Sequence, residues 1–245
     1  MENNYAAKMA ELGLTIEKMA FMVDHTQLAA YALPEAFDKL CDEAIRYGFR
    51  MVAINSVQTA YCSDKLKGTN VHVGAAISFP LGQTSIKAKL AETDDAIRAG
   101  ADEIDYVLNI PKLITGDLAY IRDEMKQIVS LCRSANVISK VIFENCYLTP
   151  ELIVKAAQIA KDIRPDFIKT STGFGTGGAT VEDVALMKRT VGDTVKVKAA
   201  GGIRTPEAML AMIEAGAERI GTSSGVKIID ALRGQAVDNT ANAAY

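Results

Sequence analysis

Apolar residues in this chain alternate between two periods. Short apolar runs of four to seven residues are followed by longer stretches in which the apolar positions recur at helical spacing. After a first helical pattern over residues 3–20, with Ala6, Met9, Leu12 and Leu14 on an imperfect stripe, the strands are predicted near 21–24, 51–54, 71–77, 103–109, 139–144, 166–169, 195–200 and 219–221. Between them the pattern predicts helices from Pro34 to Tyr47, over 56–67, from a Thr84 cap to Arg98, over 117–134, from a Thr149 cap to Lys161, over 181–190, from Thr205-Pro206, and after Gly225 to Leu232. Eight strands, each followed by a helix, in 245 residues predict a parallel sheet closed as a single (β/α)8 barrel spanning 1–245, with the helix of 1–20 outside the repeat. The polar tail 236–245 is expected to be mobile.

Composition narrows the function classes. Hydrophobic residues make up 49% and the net charge is −3 without a basic block, which argues against nucleic acid as a partner. No apolar run reaches transmembrane length, and the start of the chain has no signal-like pattern, so a cytoplasmic protein with no membrane partner is expected. Cys41, Cys62, Cys132 and Cys146 form no CxxC pair and read as reduced thiols, and His25 and His72 alone do not make a histidine-rich metal site.

The chemistry concentrates where two strands end in lysines and glycines: Phe167-Ile168-Lys169-Thr170-Ser171-Thr172-Gly173 and Val195-Lys196-Val197-Lys198-Ala199-Ala200-Gly201-Gly202. Strand alternation places Lys196 and Lys198 on the inward face, with Lys198 nearer the carboxyl end, where barrel active sites lie. Glu103 and Asp105 share a face of the fourth strand, so Glu103 is expected to balance Lys196 and Asp105 to join Lys198. A free lysine has a pKa of about 10.4 and must fall to roughly 7–8 to work as a nucleophile. Burial and a second cation both push it that way, and Lys169 beside Lys198 supplies both. A neutral lysine forms a Schiff base with an aldehyde, and a carboxylate such as Asp105 can move the protons; no metal or organic cofactor is required. Gly173, Gly201, Gly202, Gly221, Ser223 and Ser224 suit the backbone cradle and helix start that receive a phosphate.

Other polar residues have plainer readings. Asp24 and Thr26 either touch substrate hydroxyls or cap a turn, and His25 is a hydrogen-bonded barrel residue. Glu144 partners a lysine, and Glu92, Asp94 and Asp95 form a solvated helix face.

At Asp24-His25-Thr26, Ser78-Phe79-Pro80-Leu81-Gly82, Gly100-Ala101-Asp102-Glu103-Ile104-Asp105, Lys140-Val141-Ile142-Phe143-Glu144, Phe167 to Phe174, Lys196 to Arg204 and Gly221-Thr222-Ser223-Ser224, the chain resembles the 2-deoxyribose-5-phosphate aldolases, class I lyases of the barrel fold. The resemblance implies that Lys169 forms the Schiff base and that Lys198 and Asp105 depress its pKa and relay protons. It implies that Asp24 and Thr170 contact substrate hydroxyls and that the glycines and serines above hold the phosphate. The implied reaction is reversible cleavage of 2-deoxy-D-ribose 5-phosphate to D-glyceraldehyde 3-phosphate and acetaldehyde. Some relatives close the site with a terminal tyrosine, which makes Tyr245 a candidate lid, and many are homodimers. Val52-Ala53-Ile54-Asn55-Ser56 departs from the family's usual valine–cysteine–valine–asparagine–proline, a change expected to touch the barrel mouth and acceptor preference. The alternatives are a Schiff-base aldolase for another phosphorylated aldehyde or ketone, and a silent barrel that binds sugar phosphates.

Overall fold

The strands close on themselves: β1 (Val23–Gln27), β2 (Met51–Asn55), β3 (His72–Ile77), β4 (Glu103–Val107), β5 (Ile138–Ile142), β6 (Phe167–Lys169), β7 (Lys196–Ala200) and β8 (Arg219–Thr222) pair in sequence order, and β8 returns to β1, all parallel. This computed structural model describes residues 5–235. Its helices are α1 (Tyr5–Glu11), α2 (Ile16–Phe21), α3 (Pro34–Tyr47), α4 (Thr59–Leu66), α5 (Ile86–Arg98), α6 (Ile110–Ile114), α7 (Leu118–Ser134), α8 (Pro150–Ile163), α9 (Val181–Val191), α10 (Pro206–Glu214) and α11 (Gly225–Leu232).

The sequence pattern misplaced several boundaries, each for a local reason. The first helix is broken in two because Gly13 adopts φ +64° and Thr15 then caps α2 by accepting from the Lys18 amide. β1 runs later than expected, to Gln27. Helix α5 is capped by Ser85, which accepts from the Ala88 amide, while Thr84 pairs its hydroxyl with Ser78 at 2.7 Å. β4 stops at Val107, because Asn109 caps the short helix α6 with Pro111 in its first turn.

Alternation sorts the barrel into two environments. Outward strand residues, among them Val52, Ile54, Val73, Ile104, Tyr106, Val141, Ile168, Val197 and Ile220, are buried against the helices and make the apolar core. The inward face carries the charges: the paired positions Asp24↔Gly221, Gly74↔Glu103, Asp105↔Lys140 and Lys198↔Arg219 line the lumen, with Met51, Ile142 and Phe167 on the same face. Met51 fills the space beside Gly74, where an added Cβ would meet its Sδ at 2.3 Å. Outside the lumen, the buried Lys89 of α5 bonds Glu124 of α7 at 2.7 Å and the Val107 carbonyl at 2.6 Å. The other oxygen of Glu124 accepts the Asn109 amide at 3.0 Å, so this pair fixes the end of β4 just beyond Asp105.

Candidate active site

The lumen holds a connected set of charges on six strands. Asp24 comes from β1, Glu103 and Asp105 from β4, Lys140 from β5, Lys169 from β6, Lys198 from β7 and Arg219 from β8. Lys140 contacts Glu103 at 2.6 Å and Asp105 at 2.5 Å, Lys198 contacts Asp24 at 2.5 Å and Asp105 at 2.7 Å, and Arg219 contacts Asp24 at 2.6 Å and Glu103 at 3.2 Å. Lys169 meets Asp105 alone, at 2.9 Å. Three of these cations thus share two carboxylates each, and the fourth has one.

The electrostatics follow from that inequality. Burial pushes the Lys169 amine down, Asp105 pulls it back up, and Lys198 and then Lys140 push it down again, leaving it at about 8. Asp105 therefore opposes the depression, contrary to the role the resemblance gave it. Burial acts to raise the Asp105 carboxyl, but Lys140, Lys169 and Lys198 overcome this and hold it well below its ordinary value. Burial also acts against the Lys140 ammonium, yet Asp105 and Glu103 raise its proton affinity above that of an ordinary lysine. In this set Lys169 is the amine poised near neutrality.

Lys169 also lines a cleft at the carboxyl ends of the strands, with only 4% of its surface exposed. Thr26, Thr172, Gly173, Phe174, Gly201, Gly202, Arg204, Gly221 and Ser223 share that wall. Gly201 and Gly202, both lining the cleft, sit at φ +86° and +79°, a conformation that side-chain-bearing residues rarely adopt. At Gly221 an added Cβ would lie 3.1 Å from Lys198 Cε and 2.9 Å from Ala200 Cβ, so only glycine leaves that lysine its place.

Several predicted residues lie elsewhere or do other work. Asp24 is fully buried as the partner of Lys198 and Arg219 and is not among the residues that line the cleft. Thr170 is fully buried and clamps β6 to β7, its hydroxyl donating to the Ala200 carbonyl and accepting the Ala200 amide, both at 3.1 Å. Ser224 is buried, its amide donating to Thr222 Oγ1 at 2.9 Å, whereas Ser223 faces the cleft. Lys196 keeps its inward register but sits at the open floor. It is exposed, with its Nζ 5.6 Å from the Phe167 ring center, and Glu103 is balanced by Lys140 and Arg219 instead. Glu144 bonds the amide and hydroxyl of Thr172 rather than a lysine. Glu92 is tied down, accepting from the Ser56 hydroxyl and the Ser78 amide, each at 2.8 Å. Of the residues that depart from the family pattern, Ile54 packs outward with no exposure, whereas Ser56 is partly exposed just after β2 and donates to Glu92, which also holds the Ser78 amide. His25 is a hydrogen-bonded barrel residue as expected, with Nε2 2.8 Å from Glu43. Tyr245 lies outside the described residues.

The sequence reading missed Lys140, Arg219 and Arg204 as site residues. Lys140 carried the same signal as the recognised lysines, a cation inside an apolar strand. Arg219 opens the last strand on the inward face, and Arg204 follows the Gly-Gly pair and brings an exposed positive charge to the cleft.

A closed (β/α)8 barrel whose lumen delivers one lysine of lowered proton affinity to a glycine-walled cleft defines a lysine-centered barrel enzyme. Residues 18–231 match the sequence profile described as DeoC/LacD family aldolase, and the chain belongs to that family of lyases. It is 58% identical over 219 residues to the deoxyribose-phosphate aldolase of Lactobacillus acidophilus, covering 89% of this chain and 92% of that one. It is 51% identical to the deoxyribose-phosphate aldolase of Bacteroides thetaiotaomicron over 220 residues, 90% of this chain and 92% of the relative. Among solved structures, the deoxyribose phosphate aldolase of Aeropyrum pernix, described as a unique tetramer, superposes with a TM-score of 0.86 at 31% identity, over 94% of this chain and 96% of that one. Among the described residues no helix is long and apolar enough to cross a membrane.

Proposed function

We propose that this protein reversibly cleaves 2-deoxy-D-ribose 5-phosphate to D-glyceraldehyde 3-phosphate and acetaldehyde through a Schiff base on Lys169. The observation that carries this reading is that Lys169 lines the cleft and has a single carboxylate partner while the other lumen cations have two. At pH 7 an amine with a pKa near 8 is roughly one-tenth neutral, against roughly one part in three thousand for an ordinary lysine.

The neutral Nζ attacks the C1 aldehyde, and loss of water gives the iminium. The C3 hydroxyl then gives up its proton, the C2–C3 bond breaks, and its electron pair flows to the iminium nitrogen, leaving an enamine. D-glyceraldehyde 3-phosphate departs. The enamine takes a proton at C2, and water hydrolyses the resulting iminium to acetaldehyde and free Lys169. Asp105, ionised among its cations, stabilises the iminium charge that replaces the ammonium at the same nitrogen. Lys198, bonded to the same Asp105 oxygen as Lys169, supplies and receives the protons directly or through water. The wall formed by Gly173, Gly201, Gly202, Gly221 and Ser223, with Arg204 at its edge, receives the phosphate.

The reading includes a homo-oligomer in the cytoplasm. The tetramer described for the Aeropyrum relative supports assembly, and the four free thiols suit a reducing compartment.

Borohydride trapping with 2-deoxyribose 5-phosphate followed by peptide mapping tests the proposal. A reduced two-carbon adduct on Lys169 is expected. Absence of any adduct, with the phosphate ester still bound, would overturn it in favor of a silent sugar-phosphate barrel. Turnover of other phosphorylated aldehydes or ketones in preference to this substrate would move the assignment to another aldolase.

A further inference from the structure

The charged set does not end at the cleft. From Lys169 it runs down the barrel axis without a gap: Lys169 Nζ to Asp105 Oδ2 at 2.9 Å, Asp105 Oδ1 to Lys140 Nζ at 2.5 Å, Lys140 Nζ to Glu103 Oε2 at 2.6 Å, and Glu103 Oε1 to His72 Nδ1 at 2.8 Å. His72 is the first residue of β3 and lines an open polar cleft on the opposite face of the barrel, together with Arg50. The imidazole is 26% exposed, whereas Glu103 and Lys140 are fully buried. We propose that Glu103 is a positioning residue for the amine chemistry: acting through Lys140 and Asp105, it sets how strongly Lys169 is held as an ammonium, and His72 is its outer contact with solvent.

The reasoning is electrostatic. Glu103 is faced by Lys140 from β5, Arg219 from β8, His72 from β3 and Arg50, which precedes β2, at 3.8 Å. Arg219 also lies over the Phe167 ring, and Arg50 over that of Phe21. Lys140 and Arg219 divide themselves between Glu103 and the two upper carboxylates, Asp105 and Asp24. Whatever weakens Glu103 makes both cations depend more on the upper pair. Asp105 then has less negative charge to offer Lys169, and the amine loses its proton more readily. In a lumen screened from water these effects pass between adjacent ions with little loss.

This inference rests on the Schiff-base reading of Lys169, and the test separates the two. The rate of borohydride trapping on Lys169 and kcat/KM are measured against pH for the full-length protein and three variants. Glu103→Gln keeps the shape and removes the charge, and the pH at which the amine becomes reactive should fall by about one unit, close to a tenfold change in its acidity. His72→Arg places a permanent cation on Glu103 from outside and should move that pH down by a few tenths of a unit, about twofold. His72→Glu should move it up by a similar amount. If Glu103→Gln does not fold, the opposed pair at the exposed His72 decides the matter. A purely structural Glu103 would lower activity or stability while leaving the reactive pH of every variant that folds at the wild-type value, and that result would overturn the inference. Failure of the wild-type protein to form any adduct on Lys169 would instead overturn the Schiff-base reading, and this inference with it.

Discussion

Lys169 Nζ lies 2.9 Å from Asp105 Oδ2, and Lys198 holds the same oxygen from the other side at 2.7 Å. One carboxylate oxygen thus serves two amines that have very different surroundings. Lys198 has Asp24 as a second anion, and Lys169 has the cleft.

The amine that is worst paired should be the one whose loss costs the reaction most and the fold least. Lys169→Met is expected to reduce turnover by about 10⁴-fold or more and to abolish borohydride trapping. The same change should raise stability near neutral pH by roughly 2–4 kcal/mol, because it removes a buried ammonium whose pKa has dropped from 10.5 to about 8. Chemical denaturation beside steady-state kinetics measures both.

The pH dependence carries a definite sign. Activity should rise through about pH 8 as Lys169 becomes neutral, since the folded protein releases that proton before the unfolded chain does. Between about pH 8 and 10.5 the unfolded state binds more protons at this position, so the contribution of Lys169 to stability increases with pH across that window. The unfavorable term is fully present below pH 8 and relieved above 10.5. The stability gap between Lys169→Met and the wild type should therefore narrow as pH rises, in denaturation curves taken at intervals from pH 7 to 10.

Two lysines that look alike in sequence should separate cleanly. Lys196→Ala removes an exposed side chain at the floor and is expected to change stability by less than about 0.5 kcal/mol and kcat by less than about twofold. Lys140→Met leaves Asp105 with two cations instead of three and should draw Lys169 back toward an ordinary lysine. We expect a loss of about tenfold or more at pH 7.5 that is partly recovered at pH 9. Parallel pH–rate profiles of the two variants check this.

The phosphate wall should reveal itself in KM. Gly202→Ala forces a side chain into φ +79° at the cleft, and Gly221→Ala sets a methyl 3.1 Å from Lys198 Cε. Gly202→Ala should raise KM for the phosphorylated sugar by about tenfold and leave unphosphorylated 2-deoxyribose almost unaffected. Gly221→Ala should impair both substrates, because it also displaces a lysine. Comparing kcat/KM for the two sugars distinguishes them.

The eight strands were legible because short apolar runs punctuated by turn residues depend only on local sequence, and strand alternation then placed Lys169, Lys198 and Asp105 on inward faces. Spacing predicted that the barrel closes, but not which side chains closure brings together across the lumen. Asp24 reads as a polar residue at a strand end until β1 pairs with β8 and sets it opposite Gly221, within reach of Arg219 and Lys198. The family resemblance implies that Thr170 contacts substrate, but its hydroxyl is taken by the next strand's backbone. Lys196 had the right face and the wrong depth, since alternation says which way a side chain points and not whether the barrel floor above or below it is open. The break at Gly13 and the short helix after Asn109 turn on single backbone angles and caps, which an averaged pattern blurs.

The order of the lumen charges along the chain has a consequence of its own. Asp24, Glu103 and Asp105 all belong to β1–β4, and Lys140, Lys169, Lys198 and Arg219 all belong to β5–β8. Cut between α7 and β5, the molecule becomes an acid-lined half and a base-lined half. Among the lumen carboxylates of the acid half only Glu103 meets basic residues of its own half, Arg50 and His72, so the other lumen charges find their partners across the cut. Two copies of the same half repel where the two different halves attract, so the arrangement favors pairing of unlike halves. Catalytic polarity and assembly instruction are written in the same seven side chains.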